Sequence, residues 1–176
     1  MPRRRLLLAT LLLSACSTEE GERRPLEVLH QGPSPAPIRV KGEEVFFDGR
    51  WVKDGRVTFF DTLGNVTHEG DYKLGFESGP WTERGEDGIT GKGLYLDGKR
   101  DGSWEYRYAS GDLQSKGNYR QGERTGKWMR YYPGGGVEAE LPYKDGKLEG
   151  IVIVYDDSGA EDMEASGTFR GGERVR

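Results

Sequence analysis

The sequence predicts an all-β protein, an elongated single-layer antiparallel meander of repeated β-hairpins. An eight-residue motif recurs along the chain: an aromatic residue, two spacers, Gly, three spacers and Gly, as in YLDGKRDG at 95–102 and YKDGKLEG at 143–150. Gly provides 28 of the 176 residues, about twice the usual share of about 7%. Apolar and polar residues alternate between the glycines, which is the period of a strand with one buried face.

Residues 1–15 are typical of a signal peptide that is removed from the mature protein. Three arginines at 3–5 form a basic segment, and the apolar run at 6–13 is shorter than the roughly 20 residues that span a bilayer. The run ends in LSAC at 13–16, which resembles the lipobox of bacterial lipoproteins. This resemblance implies that Cys16 carries acyl chains such as palmitate and becomes the mature N-terminus. An ordinary cleaved signal peptide with a chance cysteine is the alternative.

Cys16 is the only cysteine of the chain, so no internal disulfide is expected, and acylation accounts for the odd count. Ser17 follows it instead of Asp. By resemblance to Gram-negative lipoproteins, this implies the outer membrane, facing the periplasm, in a Gram-negative host. Loss of residues 1–15 removes three arginines and moves the net charge from −4 to −7. An acidic surface disfavours nucleic acid and anionic headgroups as partners of the domain.

Residues 16–42 are predicted to be the lipidated N-terminus and a flexible linker. The stretch is rich in charges, and Pro33, Pro35 and Pro37 cluster near its end. Such a composition buries too little apolar surface to fold by itself and favours a tether.

Residues 43–176 are predicted to form one domain of about five repeats, each of 23–26 residues and two strands. The second Gly of the motif recurs at spacings of 24, 23, 24 and 24, and a further Gly follows each one after nine residues. Pairs such as Asp97 with Gly98 accept the positive φ of tight hairpin turns. The equivalent glycines are therefore predicted to be structural turn residues: Gly75, Gly98, Gly122 and Gly146.

The segments YLDGKRDGSWEYRYASG (95–111) and YRQGERTGKWMRYYPGG (119–135) resemble MORN repeats, most of all the bacterial antitoxin-like variant. The resemblance extends over about 46–175. It implies a MORN-repeat sheet and a scaffolding or binding role. Two kinds of departure stand out: Val57 and Val152 replace the tryptophan of the repeat, and the 79–101 unit lacks the aromatic pair after its tryptophan.

No enzymatic activity, cofactor or metal site is predicted. The chain has two histidines, His30 in the linker and His68 in the inward phase of a strand, and no recognisable nucleophile, zinc or phosphate-loop motif. His68 is expected to be a structural residue. The acids at 156–162 lack the spacing of a calcium loop and favour a hairpin turn.

Aromatic side chains are the remaining candidates for a binding surface. Three tryptophans share one repeat position, so a regular sheet aligns them along one face, with tyrosines beside them. Two interpretations stay open: the row is the packing of a single-layer sheet, or it is an exposed ladder that stacks on a sugar or an extended peptide. The residues are Trp81, Trp104, Trp128, Tyr106, Tyr108 and Tyr132.

The leading functional hypothesis is a lipid-anchored, non-catalytic repeat protein of the cell envelope that binds a protein partner or acts as a scaffold. Its contact with the membrane is expected through lipidated Cys16, and nucleic acid is not expected as a partner. A periplasmic antitoxin or immunity-type protein is one alternative, implied by the family resemblance. A peptidoglycan or glycan binder that uses the tryptophan row is the other.

Overall fold

The computed structural model describes residues 18–29, 39–85 and 87–175. All regular secondary structure within these ranges is β-strand. The strands form one open antiparallel sheet, in which each strand pairs with its neighbours along the chain. This confirms the predicted single-layer meander. No helix in the described ranges is long and apolar enough to cross a membrane. The strands are β1 Arg23–Leu29, β2 Arg39–Phe47, β3 Arg50–Lys53, β4 Gly55–Phe60, β5 Val66–Lys73, β6 Phe76–Arg84, β7 Thr90–Leu96, β8 Lys99–Arg107, β9 Leu113–Arg120, β10 Glu123–Tyr131, β11 Val137–Lys144, β12 Lys147–Leu148, β13 Gly150–Val154, β14 Gly167–Arg170 and β15 Glu173–Arg174.

Tight two-residue turns join one repeat to the next. At the turn between β7 and β8, Asp97 has a φ of 50° and Gly98 a φ of 76°. Positive φ at both central residues is the mark of a type I′ turn, whose twist matches that of the flanking strands. The same pair of positive φ angles recurs at Asp48–Gly49, Leu74–Gly75, Gln121–Gly122 and Asp145–Gly146.

Wider turns close the other end of each hairpin. Between β8 and β9, the Gly111 amide donates to the Tyr108 carbonyl at 2.9 Å, and the Tyr108 amide donates to the Asp112 carbonyl at 2.9 Å. Gly111 has a φ of 95°, a conformation that L side chains rarely adopt. The requirement explains why a glycine stands nine residues after the second motif Gly in every unit.

Each tight turn after the one at Asp48–Gly49 also bonds to the preceding repeat. The Gly98 amide donates to the Glu77 carbonyl at 3.0 Å, and the Gly122 amide donates to the Arg100 carbonyl at 2.8 Å. The sheet thus behaves as a stack in which each unit is stabilised mainly by its neighbours.

The N-terminal boundary of the sheet differs from the prediction. β1 pairs with β2 from Arg23↔Val45 to Leu29↔Arg39, so the linker interpretation is wrong for residues 23–29 and 39–42. Leu26 is 8% exposed, and the Arg23 guanidinium lies 2.5 Å from an Asp54 carboxylate oxygen. These contacts to distant residues stabilise a strand whose composition is that of a tether. The predicted signal peptide, Cys16, His30 and the proline cluster lie outside the described residues.

The number of strands also exceeds the two per repeat that the sequence predicts. β1 and β2 precede the first full repeat. In two other places a strand is divided near the second motif Gly, at Asp54 between β3 and β4 and at Glu149 between β12 and β13. Gly55 and Gly150, which follow these breaks, have positive φ angles of 87° and 119°.

Candidate functional site

The face of the sheet that carries Trp81, Trp104 and Trp128, here called the aromatic face, is built on close contacts between tryptophan and glycine. The Trp104 indole lies directly on Gly93 of the preceding strand, where an added Cβ would meet the ring at 2.2 Å. Its Nε1 donates to the Leu94 carbonyl at 3.0 Å. Gly70 under Trp81 and Gly117 under Trp128 repeat the arrangement with the same 2.2 Å approach.

Four tyrosines alternate with the three indoles along this face. Neighbouring rings meet edge to face with centroids 5.1–6.4 Å apart, an arrangement that the ring quadrupoles favour. The exposed fractions of Trp81, Trp104 and Trp128 are 5%, 0% and 1%. The exposed-ladder interpretation is therefore wrong for the three indoles, which form the packing of a sheet that has no second layer. The tyrosines are Tyr72, Tyr95, Tyr119 and Tyr143.

The predicted tyrosines are half-buried and bonded within the sheet. Tyr106 stacks on Trp104 with centroids 5.9 Å apart, and its hydroxyl lies 3.2 Å from that of Tyr119. The Tyr108 hydroxyl donates to the Tyr131 carbonyl at 2.8 Å, in the next repeat. The Tyr132 hydroxyl makes the equivalent bond to the Tyr155 carbonyl at 2.7 Å.

Cations from the chain itself cover these aromatic rings. The Arg100 guanidinium lies 4.9 Å from the Trp104 ring centroid and 5.6 Å from that of Tyr119. Arg124 lies 4.5 Å from the Trp128 centroid, and its terminal nitrogen donates to the Tyr143 hydroxyl at 3.2 Å. Each arginine stands four residues before its tryptophan.

The region around Trp81 departs from this arrangement. The residue four positions before Trp81 is Glu77, which accepts a hydrogen bond from the Tyr72 hydroxyl at 2.9 Å. The residue two positions after Trp81 is Glu83, at the place of Tyr106 in the next unit. Glu83 accepts bonds from the Tyr95 hydroxyl and from Arg100, both at 2.6 Å.

A depression of about 420 Å³ lies on the aromatic face beside Trp81 and Glu83. Two carboxylates, one guanidinium and the exposed parts of several rings line it. His68 lies at its rim with its ring centroid 6.2 Å from that of Phe59. His68 occupies the inward phase of β5, but its side chain is exposed. The lining residues are Phe59, His68, Tyr72, Glu77, Trp81, Glu83, Tyr95 and Arg100.

Burial and hydrogen bonding set the charge state of this depression. Partial burial raises the pKa of Tyr72 and Tyr95 well above the usual range, and their bonds to Glu77 and Glu83 raise it further. Burial tends to lower the pKa of Arg100, but the bond to Glu83 and the charge interactions with Tyr106, Glu83 and Tyr95 together raise it and keep the guanidinium charged. At neutral pH Tyr72 and Tyr95 are thus neutral hydrogen-bond donors.

Acidic clusters elsewhere serve the turns. The Asp156 carboxylate accepts the amides of Ser158 and Ala160 at 2.9 Å each, which closes the predicted hairpin turn before Gly159. In the described part of the chain, no group of three or more His, Cys, Asp or Glu residues is placed to hold a metal ion.

The opposite face of the sheet is polar and carries several ion pairs. Lys127 pairs with Glu140 at 2.5 Å, and Arg56 approaches Glu69 at 3.5 Å. Exposed pairs of this kind contribute little to stability. Apolar side chains interrupt this face near the Trp81 region, where Phe76, Leu94 and Leu96 are exposed.

Glu77, Glu83 and Arg100 are not among the predicted site residues. A signal for them exists in the sequence, because alignment of the repeats places two acids where neighbouring units carry cationic or aromatic side chains. The column four residues before the tryptophan or its valine replacement is Lys53, Glu77, Arg100, Arg124 and Leu148. The column two residues after it is Phe59, Glu83, Tyr106, Arg130 and Val154.

Comparison with known proteins gives one family. No curated protein matches the chain. Residues 100–121 and 124–145 match the family described as MORN repeat variant. These are the two hairpins that carry Arg100 with Trp104 and Arg124 with Trp128, so the match covers the repeats with the complete set of packing residues. Two adjacent repeats of this chain are therefore similar to MORN repeats.

Proposed function

We propose that the protein is a non-catalytic binding module of the cell envelope, held to the membrane through Cys16, whose repeat sheet contacts a protein partner. The observation that carries the proposal is the depression beside Trp81. The indoles of Trp104 and Trp128 are buried in the packing of the sheet, whereas this depression is lined by half-buried carboxylates and by the half-buried ring of Tyr95. Open sheet surfaces of this kind suit an extended partner more than a small substrate.

Two further points support the proposal. MORN repeats in general act as binding or scaffolding modules, and two repeats of this chain match them. The basic and apolar segments before LSAC match a lipoprotein signal, and a lipidated Cys16 needs no further membrane contact from an acidic domain. An immunity-type role would be one form of such partner binding.

Membrane fractionation of bacterial cells that express the full chain tests the anchor. The wild-type protein should sediment with membranes and incorporate an alkyne-labelled palmitate. The Cys16→Ser variant should lose the label and either remain as a precursor or appear in the soluble fraction. The Ser14→Ala variant, which keeps a small residue before the cysteine, is the matched control and should behave as wild type. Equal labelling of Cys16→Ser would contradict the proposal.

Site-directed photocrosslinking tests the binding surface. A crosslinker at His68, on the rim of the depression, should trap a discrete partner in intact cells, because His68 is exposed on the aromatic face. The same crosslinker at Lys127, on the opposite face of a complete repeat, is the control. A partner trapped equally at both positions, or a hydrolytic activity that purifies with the chain and disappears on an acidic substitution, would contradict the proposal.

The glycan alternative receives no support from the indoles, because stacking on a sugar requires an accessible ring face and Trp104 and Trp128 have none. Pull-down on peptidoglycan should therefore not retain the protein. Retention that disappears in Trp104→Ala with Trp128→Ala would favour that alternative.

A further inference from the structure

We infer that the depression beside Trp81 binds a lysine or arginine side chain of a protein partner. The inference names the partner's chemistry for the binding module proposed above and rests on that function. It depends on four features of the described residues: the cations that cover aromatic rings in neighbouring repeats, the presence of Glu77 at the position of those cations, the lack of a cationic partner for Glu77, and the volume of the depression.

The neighbouring repeats show what the aromatic face holds. Arg100 covers Trp104 and Tyr119, and Arg124 covers Trp128 and Tyr143, at 4.5–5.6 Å from the ring centroids. Lys53 lies 5.0 Å from the centroid of Tyr72 in the same way. Rings of this row therefore attract a cation wherever the chain supplies one.

The pair formed by Trp81 and Tyr95 has the same geometry, with centroids 5.5 Å apart, but a different residue before it. Glu77 stands where Lys53, Arg100 and Arg124 stand in three of the other four units, and Leu148 stands there in the last unit. Within the described residues, no lysine or arginine lies over the ring of Trp81 or Tyr95. The chain therefore leaves the cationic position of this pair unfilled, and because Trp81 is 5% exposed while Tyr95 is half-buried, a cation from a partner would reach the pair mainly at Tyr95.

The charges of the depression favour a cation. Glu83 is paired with Arg100 at 2.6 Å, while Glu77 receives only the neutral Tyr72 hydroxyl among its described contacts. The lining residues carry two carboxylates and one guanidinium, so the depression retains one negative charge. A carboxylate beside aromatic faces suits an ammonium or guanidinium group, which gains a charge-assisted hydrogen bond and a cation–π contact together.

The space is adequate for one long side chain. The depression measures about 420 Å³, Tyr95 at its floor is half-buried, and His68 at its rim is exposed. The mature chain carries a net charge of −7 if residues 1–15 are removed, which would also steer a basic partner towards it.

Peptide titration followed by nuclear magnetic resonance tests the inference on the purified chain with residues 1–15 removed and Cys16 replaced by Ser. The probe is acetyl-Gly-Lys-Gly-amide, and its matched control is the norleucine peptide, which keeps the aliphatic side chain without the charge. The lysine peptide should shift the Trp81 indole N–H signal saturably, with a dissociation constant in the millimolar range. The Trp104 and Trp128 signals should move little, because Arg100 and Arg124 already cover those rings.

The variant Glu77→Arg supplies the missing cation from the chain and should close the site. We expect its affinity for the lysine peptide to fall at least tenfold, which corresponds to about 1.4 kcal/mol, while the protein remains folded with an unchanged or higher Tm. Glu164→Arg makes the same charge change in an exposed loop outside the depression and should leave the dissociation constant within about twofold.

Several results would overturn the inference. Equal binding of the norleucine peptide would make the depression an apolar pocket, and unchanged binding by Glu77→Arg would place the site elsewhere. Shifts of the Trp81 signal with chitotetraose but not with the lysine peptide would favour a glycan. Shifts that depend on protein concentration alone would favour a second copy of the chain.

These outcomes are distinct from failure of the proposed function. If the chain binds the lysine peptide but never reaches the membrane, the proposed anchor is contradicted and the cation site is supported. If the chain is membrane-bound and crosslinks to a partner but does not bind the lysine peptide, the proposed function is supported and this inference is contradicted.

Discussion

The Trp81 region and the Trp104 region share one backbone design and differ in what covers the indole. In both, a tryptophan lies on a glycine of the preceding strand and donates to a neighbouring carbonyl. Over Trp104 the chain adds Arg100 and Tyr106, whereas near Trp81 it places Glu77 and Glu83. The difference indicates that the repeats share the residues that build the sheet. The proposed binding surface lies at positions whose residues differ between repeats.

The two regions also differ in how they are tied to the next repeat. Tyr108 bonds across to the Tyr131 carbonyl, but the matching residue four positions after Trp81 is Gly85. Because each repeat is stabilised mainly by its neighbours, the lack of such a bond lowers stability mainly in the repeat concerned. The Trp81 region is therefore expected to be the less stable of the two, which suits a surface that adapts to a partner.

Removal of a buried indole should give the largest effect. Trp104→Ala should lower the free energy of unfolding by about 3–5 kcal/mol, because it deletes a fully buried ring that few neighbours can replace. Trp81→Ala should cost less, since fewer groups from the chain cover that ring. Urea denaturation followed by circular dichroism measures both. An equal or larger loss for Trp81→Ala would break the comparison.

Adding a methyl group under an indole should give the second largest loss of stability. Gly117→Ala places a Cβ 2.2 Å from the Trp128 ring and should cost about 1–3 kcal/mol through overpacking. Where Val152 replaces the tryptophan, the residue that matches Gly117 is Leu141, so the chain itself couples a smaller residue with a side chain beneath it.

A double-mutant cycle sharpens this point. Gly117→Ala combined with Trp128→Val should be less destabilising than the sum of the two single changes, as measured by urea midpoints. Gly136→Ala is the matched control, because its Cβ would meet only Tyr132 at 3.9 Å, and it should stay within about 0.5 kcal/mol of wild type. Strictly additive losses of stability in the two single variants and the double variant would contradict the contact between Gly117 and the Trp128 ring.

Asp54 provides a pH-dependent test at the N-terminal edge. Burial tends to raise the pKa of Asp54, but the Leu74 amide and Arg23 outweigh it, so the pKa lies below its ordinary value. A lowered carboxyl pKa in the folded state stabilises the protein above the unfolded pKa near 3.8, and this contribution is lost as the pH falls through the folded value. Asp54→Asn should cost about 1–2 kcal/mol at pH 7.

The same variant should lose less additional stability than wild type between pH 5 and pH 2, measured by urea midpoints across that range. The turn at Leu74 depends on this carboxylate, whereas the turn at Asp97 has Ser78 at the matching position. Ser78→Ala is therefore the control and should leave the pH dependence unchanged. An acid transition of Asp54→Asn identical to wild type would contradict the assignment.

Loss of a single bond between repeats should give the smallest effect. Tyr108→Phe removes the hydroxyl that donates to Tyr131 at 2.8 Å and should cost about 1 kcal/mol. Thermal unfolding measures the change. Tyr131→Phe, whose hydroxyl has no hydrogen-bond partner among the described residues, is the control and should be nearly neutral. Equal effects of the two variants would show that the bond between repeats contributes nothing.

The turns and the strand order could be predicted because their signals are local and recur. A pair such as Asp97 and Gly98 adopts positive φ at both residues whatever lies around it, and the motif repeats this pair six times. β1 could not be predicted in the same way. Its stability comes from pairing with β2 and from Arg23 meeting Asp54, which lies 31 residues further along the chain.

The sequence by itself determined the repeat, the all-β class, the turn glycines and the alignment of the tryptophans on one face. The tertiary structure decided whether those tryptophans are exposed, since burial depends on glycines of the adjacent strand and on arginines that fold over the rings. It also decided that Glu77, Glu83 and His68 border one depression. Four strands of the sheet, β4 to β7, bring these residues and the aromatic rings together. The register between strands is set by long-range pairing, which no local sequence pattern specifies.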